Sequence, residues 1–152
     1  VLIIQIPLGM YLVDMDFSEK RLTTENIHVA VGISIFYLTI LRLIYKTFNP
    51  TPKLNNSIFP GQKIIAKLNH VFLYVSILMI TISGALKKLY NGEELNMFFF
   101  NLEIQDNFDL AEIFYEIHIL SNYTLIALIS LHISAVIIHK ILFKENLLKK
   151  IL

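Results

Sequence analysis

Histidine is the residue type through which metal or proton chemistry could run in this chain. There are five, at positions 28, 70, 118, 132 and 139, and no cysteine. The absence of cysteine excludes covalent haem attachment through a C-x-x-C-H run, iron–sulfur clusters held by cysteine, and disulfides. His118 and His132 stand in one long apolar stretch, Phe114 to Phe143, fourteen residues apart. On a helix that spacing puts both rings on one face, within about 40° of each other and roughly 21 Å apart along the axis. A hydrocarbon core is about 30 Å thick. One helix offering an imidazole near each side of a membrane is a natural ladder for two haem groups.

Other pairs repeat the interval. His28 and Arg42 are fourteen apart in the run Asn26–Tyr45, and His70 and Gly84 are fourteen apart in Leu68–Leu86. Read as membrane helices, these runs set His28 and His118 at one depth, where they can face each other as axial ligands of one haem. His132 and His70 lie at the other depth. The partner of His132 is then either His70 or a histidine preceding Val1. A single histidine in a membrane helix can instead simply hydrogen-bond a neighbouring helix. Four of them sharing two depths favour ligation, and ionisable groups within a membrane are functional candidates by default.

The elements that would position these residues follow from hydropathy. Of 152 residues, 55% are hydrophobic, the mean hydropathy is +0.62 and the net charge is +1. That apolar excess points to a membrane protein, and the near-neutral charge gives no case for nucleic-acid binding. The pattern predicts an all-α, four-helix up-down transmembrane bundle in one domain over 1–152, with helices at about 1–13, 26–45, 68–86 and 114–143. The first run is too short to span, and the chain begins with Val, so we expect the true N-terminus to be missing. No signal peptide is recognisable. Pro7 could kink this helix, and Thr24 is the expected N-cap of the second.

The loop 46–67 carries four lysines and no acid, and the C-terminal tail carries Lys140, Lys144, Lys149 and Lys150. The positive-inside rule puts both in the cytoplasm, and the 14–25 and 87–113 loops on the periplasmic side. The segment Gln62–Lys67 reads as a lead-in to the third helix. Phe98-Phe99-Phe100 is expected on the membrane surface, with the acids of that loop forming a solvated face. Lys87 and Lys88 sit against the charge trend, either drawing anions or ending a solvated helix.

The runs I-H-V-A-V-G-I-S (27–34), L-R-L (41–43), L-N-H-V-F-L-Y (68–74), I-S-G (82–84), and E-I-H followed by L-H-I-S-A-V-I-I-H (116–139) together resemble the bacterial cytochrome b561 family, over nearly the whole chain. The resemblance implies a four-helix, di-haem b cytochrome of the inner membrane. It implies one haem held by His28 and His118, and a second by His132 and a helix-one histidine. G-M-Y-L-V-D (9–14) looks like the helix-one exit, which would put that fourth ligand about six residues before Val1. His70 is then a neighbouring or quinone-side group.

Around these ligands, Arg42 is read either as a salt bridge to a haem propionate or as an arginine snorkelling to the interface. Gly9, Gly32 and Gly84 either give the porphyrins room or serve ordinary helix packing. His139 could assist a quinone or a propionate, or simply reach water. No side chain is singled out as a catalytic acid, base or nucleophile. The resemblance implies electron transfer from superoxide outside to ubiquinone, a superoxide:ubiquinone oxidoreductase activity. A non-enzymatic cytochrome b anchor, relaying electrons between a dehydrogenase or hydrogenase subunit and quinone, is the alternative. A haem-free helical scaffold is the third.

Overall fold

Ser18 starts the longest apolar helix of the N-terminal half. Its side chain accepts a hydrogen bond from the Arg21 amide at 3.2 Å, satisfying a donor that the first turn leaves open. In the structure, a computed structural model describing residues 1–49 and 61–142, the helices among the described residues are α1 (Leu2–Val13), α2 (Glu19–Phe48), α3 (Gln62–Tyr90) and α4 (Phe108–Leu142). Three of them, α2, α3 and α4, are long and apolar enough to cross a membrane; α1 is a shorter apolar helix that runs through Pro7 without a break. The remaining loop 50–60 and the tail 143–152 lie outside the described residues, and with them four of the eight lysines on which the orientation rests.

The helices exceed the expected bounds. α2 begins at Glu19 rather than Asn26, so Thr24 is no cap: it sits inside the helix and donates back to the Lys20 carbonyl at 2.7 Å. α3 begins at Gln62, absorbing the lead-in, and runs to Tyr90 rather than Leu86. α4 begins at Phe108 rather than Phe114, where the Asn107 side chain accepts from the Leu110 amide at 3.1 Å. The physical reason is common to all three. An apolar run marks what must be shielded from water, whereas a helix continues into water wherever a cap, not a polar residue, ends it. At 30 residues α2 is about 45 Å long, well beyond the hydrocarbon thickness.

Neighbouring helices run antiparallel. Gln5 of α1 meets the His28 backbone of α2, Arg42 of α2 meets Tyr74 of α3, and Ile80 of α3 meets His118 of α4. α3 and α4 pack along most of their length, α2 lies on α3, and α1 on α2. Large apolar side chains such as Ile3, Leu41 and Leu120 point outward on every helix. That is the surface a lipid-facing bundle must have, since lipid rather than protein covers it.

The segment between α3 and α4 is not a plain loop. Leu95–Asn96 (β1) and Asn101–Leu102 (β2) form an antiparallel hairpin. Leu95 is buried with Ile33 and Leu89, beside Val29, Tyr37, Ala85 and Leu86. The Phe98-Phe99-Phe100 knot is the hairpin's turn. Two of its rings, Phe98 and Phe99, pack on Tyr37, whose hydroxyl donates to the Met97 carbonyl at 3.1 Å. Phe99 remains 84% exposed.

Candidate functional site

Two imidazole pairs lie at opposite ends of the bundle. At the end where α1 leaves and α4 begins, the His28 and His118 rings face each other across the space between α2 and α4, with centroids 6.2 Å apart and planes at 77°. At the other end, His132 of α4 meets His70 of α3, with centroids 5.3 Å apart and planes at 52°. Because α4 is continuous between them, His118 and His132 are held roughly 21 Å apart by helix rise alone.

The separations distinguish the pairs. An imidazole nitrogen binds a metal at about 2.0–2.1 Å, so two rings opposed across one ion have centroids about 6.3 Å apart. His28 and His118 match this value. His70 and His132 are closer by nearly 1 Å, and His70 is exposed while His132 is half-buried. As they stand, these two rings are closer than a pair that spans one ion.

Glycines create the room the rings occupy. A Cβ on Gly84 would stand 2.9 Å from both Cε1 and Nδ1 of His118, and one on Gly9 would stand 2.8 Å from Cε1 of His28. Real side chains do not approach so closely, so these two positions admit the rings only because the side chain is missing. With that space open, His118 Nδ1–H donates to the Ile80 carbonyl at 2.8 Å. A metal-binding histidine typically spends its second nitrogen in this way, which fixes the tautomer and leaves Nε2 with a free lone pair. Gly32 behaves differently: it faces Gln5 Nε2 at 3.6 Å, ordinary contact, and no histidine.

Sequence reasoning missed the carboxamides. Gln5, only 8% exposed, donates through Nε2 to the His28 carbonyl at 2.8 Å. Asn69 lies 3.1 Å from His132 Nδ1 through its Nδ2. The buried side-chain polar atoms left without a partner among the described residues are Gln5 Oε1, His28 Nδ1 and Asn69 Oδ1. All three adjoin the histidine pairs. A buried polar atom without a partner is uncommon and needs a reason; a neutral imidazole nitrogen such as His28 Nδ1 is also a metal donor. The signal was available, since a Gln in an apolar run and an Asn next to a membrane histidine are both costly residues.

The flanking charges are placed as follows. Arg42 Nε donates to the Tyr74 hydroxyl at 3.1 Å, and Lys46 lies over the Tyr74 ring at 5.0 Å, both at the His70–His132 end. Lys87 pairs with Glu25 at 3.4 Å, and Lys88, largely buried, pairs with Glu93. These lysines are thus neither a free anion lure nor a bare helix end. Burial alone would push the Glu93 carboxyl up, but the Lys88 hydrogen bond and charge, helped by Asn91 and Lys87, hold it below the usual glutamate range. The His139 side chain lies outside the described residues.

Among the described residues no group of three or more His, Asp or Glu side chains could hold a bare metal ion. What the chain provides is one imidazole pair, His28 and His118, at the separation of a haem held from both faces, and the glycine clearances and the orphaned nitrogen fit that group. Comparison with known proteins agrees. A family model described as prokaryotic cytochrome b561 matches residues 1–152. Cytochrome b561 homolog 2 of Escherichia coli (strain K12) is 22% identical over 149 residues, covering 95% of this chain and 79% of that protein. The chain belongs to the prokaryotic cytochrome b561 family of membrane-spanning b-type electron-transfer proteins.

Proposed function

We propose that this chain carries electrons between two haem b groups, oxidising superoxide or another small donor on the periplasmic side and reducing ubiquinone. The observation that carries the reading is the His28–His118 pair at 6.2 Å, with His132 a fixed 21 Å or so along the same helix. His28 and His118 would hold the outer haem. His132 would hold the inner one, with His70 alongside. Haem supplies one-electron chemistry. The chain's part would be to hold the group between the His28 and His118 imidazoles, leaving no place for oxygen on the iron, and to fix those rings against the Gly9 and Gly84 backbones.

Arg42, near the inner end, has terminal guanidinium nitrogens that make no hydrogen bond among the described residues, and these would take a propionate. Gly9 and Gly84 would keep the outer imidazoles in place. The loop 46–67 and the C-terminus would be cytoplasmic and the hairpin end periplasmic, in a bacterial inner membrane.

The test is a reduced-minus-oxidised spectrum of the full-length protein in detergent or nanodiscs. Two b-type signals are expected, with His28→Ala or His118→Ala removing one and His132→Ala the other. Superoxide generated in the assay should reduce the haem directly, and added ubiquinone should reoxidise it. No reduction by superoxide, with a dehydrogenase or hydrogenase subunit copurifying, would favour the anchor reading instead. No haem signal at all would leave only a scaffold.

A further inference from the structure

Both histidines proposed as ligands on α4 meet α3 through Nδ1, and α3 treats them differently. His118 Nδ1–H donates to a backbone carbonyl, that of Ile80, at 2.8 Å. His132 Nδ1 instead meets a side chain, the Asn69 carboxamide, at 3.1 Å. Asn69 presents its Nδ2 there and leaves Oδ1 buried with no partner. A donor facing Nδ1 requires a bare Nδ1 and hence a protonated Nε2, the tautomer that cannot bind iron through Nε2. A carboxamide exchanges its oxygen and nitrogen by a half-turn about its last bond, at little steric cost because the two ends are nearly the same size. After that turn, the unpartnered oxygen takes the place opposite Nδ1.

We propose that Asn69 is the positioning residue for His132: its carboxamide oxygen accepts Nδ1–H, sets the ring's tautomer and leaves Nε2 for the inner haem iron. The inference rests on His132 being a haem ligand. It makes Asn69 the side-chain counterpart of the Ile80 carbonyl, so α3 supplies the acceptor at both ends of α4. The two acceptors are not equivalent. A helix carbonyl already shared within α3 cannot turn away, whereas a carboxamide can present either end, so the inner ligand is the one whose basicity a single side chain sets. An acceptor on Nδ1–H makes imidazole a stronger donor to iron, which favours the ferric form and lowers the reduction potential.

The experiment is a spectroelectrochemical titration of the full-length, haem-loaded protein, comparing wild type with Asn69→Leu and Asn69→Gln, with His132→Ala identifying the inner haem. Asn69→Leu keeps the branched heavy-atom skeleton and removes the acceptor. It should raise the midpoint potential of the haem that His132→Ala abolishes and leave that of the other haem unchanged. Asn69→Gln, which keeps the carboxamide, should return the potential toward wild type. An unchanged inner potential in Asn69→Leu, or an equal shift in both haems, overturns the inference. So does an Asn69→Gln value no different from Asn69→Leu. Should Asn69→Leu not assemble, Asn69→Ala replaces it with the same expected direction. If His132→Ala retains both haems, the ligand reading itself fails and the inference with it. If His132→Ala loses one and the Asn69 variants do not move it, only the inference fails.

Discussion

At Gly84 one methyl group decides whether His118 keeps its hydrogen bond. The added Cβ would lie 2.9 Å from two atoms of the ring, so the imidazole must swing away from the Ile80 carbonyl. Gly84→Ala is expected to cost about 1–3 kcal/mol, as overpacked sites do, and to diminish the outer-haem band in the difference spectrum. Gly9→Ala should act alike through His28, at 2.8 Å. Gly32→Ala, with its nearest neighbour at 3.6 Å, should be neutral or stabilising by up to about 1 kcal/mol from helix propensity. Thermal unfolding and haem content of the three variants in detergent check this; equal losses in all three would refute the clearance argument. The sequence suggested all three glycines alike, as room for a porphyrin or as ordinary helix packing. Only the packing of α1 on α2 and of α3 on α4 separates them.

For elements, caps and ion pairs fix ends that hydropathy cannot see. Ser18→Ala should destabilise the start of α2 by about 1 kcal/mol, whereas Thr24→Ala, inside the helix, should cost less; hydrogen exchange of the Arg21 and Leu22 amides reads the difference. The hairpin end of α3 is pinned by Lys88 and Glu93. Because the folded-state pKa of Glu93 is depressed, its contribution to stability is present at neutral pH and above. It is lost as pH falls through the ordinary carboxylate range to the folded value. Protection of the amides of residues 91–97, corrected for the intrinsic exchange rate at each pH, should therefore fall in acid, and Glu93→Gln should abolish that step while lowering protection at pH 7. A pH step that persists in Glu93→Gln would assign it elsewhere. The hairpin itself was not legible: two-residue strands carry no periodicity, and it forms because Leu95 finds Ile33 and Leu89, and Met97 finds Tyr37.

At the scale of the whole molecule, the proposed orientation puts the His28–His118 end on the periplasmic side. The chain has no cysteine, so single-cysteine variants label cleanly. In intact cells a membrane-impermeant maleimide is expected to modify Asp16→Cys and Asn107→Cys, and to reach Thr51→Cys only after the membrane is opened. The reverse pattern would invert the bundle and place the His28–His118 pair on the cytoplasmic side.

Hydropathy and the fourteen-residue intervals determined, without a structure, that helices cross a membrane and that imidazoles occupy two depths. Both are one-dimensional quantities, set by residue type and helix rise. Which imidazoles face one another at what separation, and which glycines clear them, depended on how helices dock in three dimensions. So did the choice of Asn69 over a backbone carbonyl at His132. Docking is decided by the packing of distant residues, which no local pattern encodes. Thus His28 and His118, paired by depth in the sequence, lie with ring centroids 6.2 Å apart, while His70 and His132, equally well matched in depth, lie at 5.3 Å.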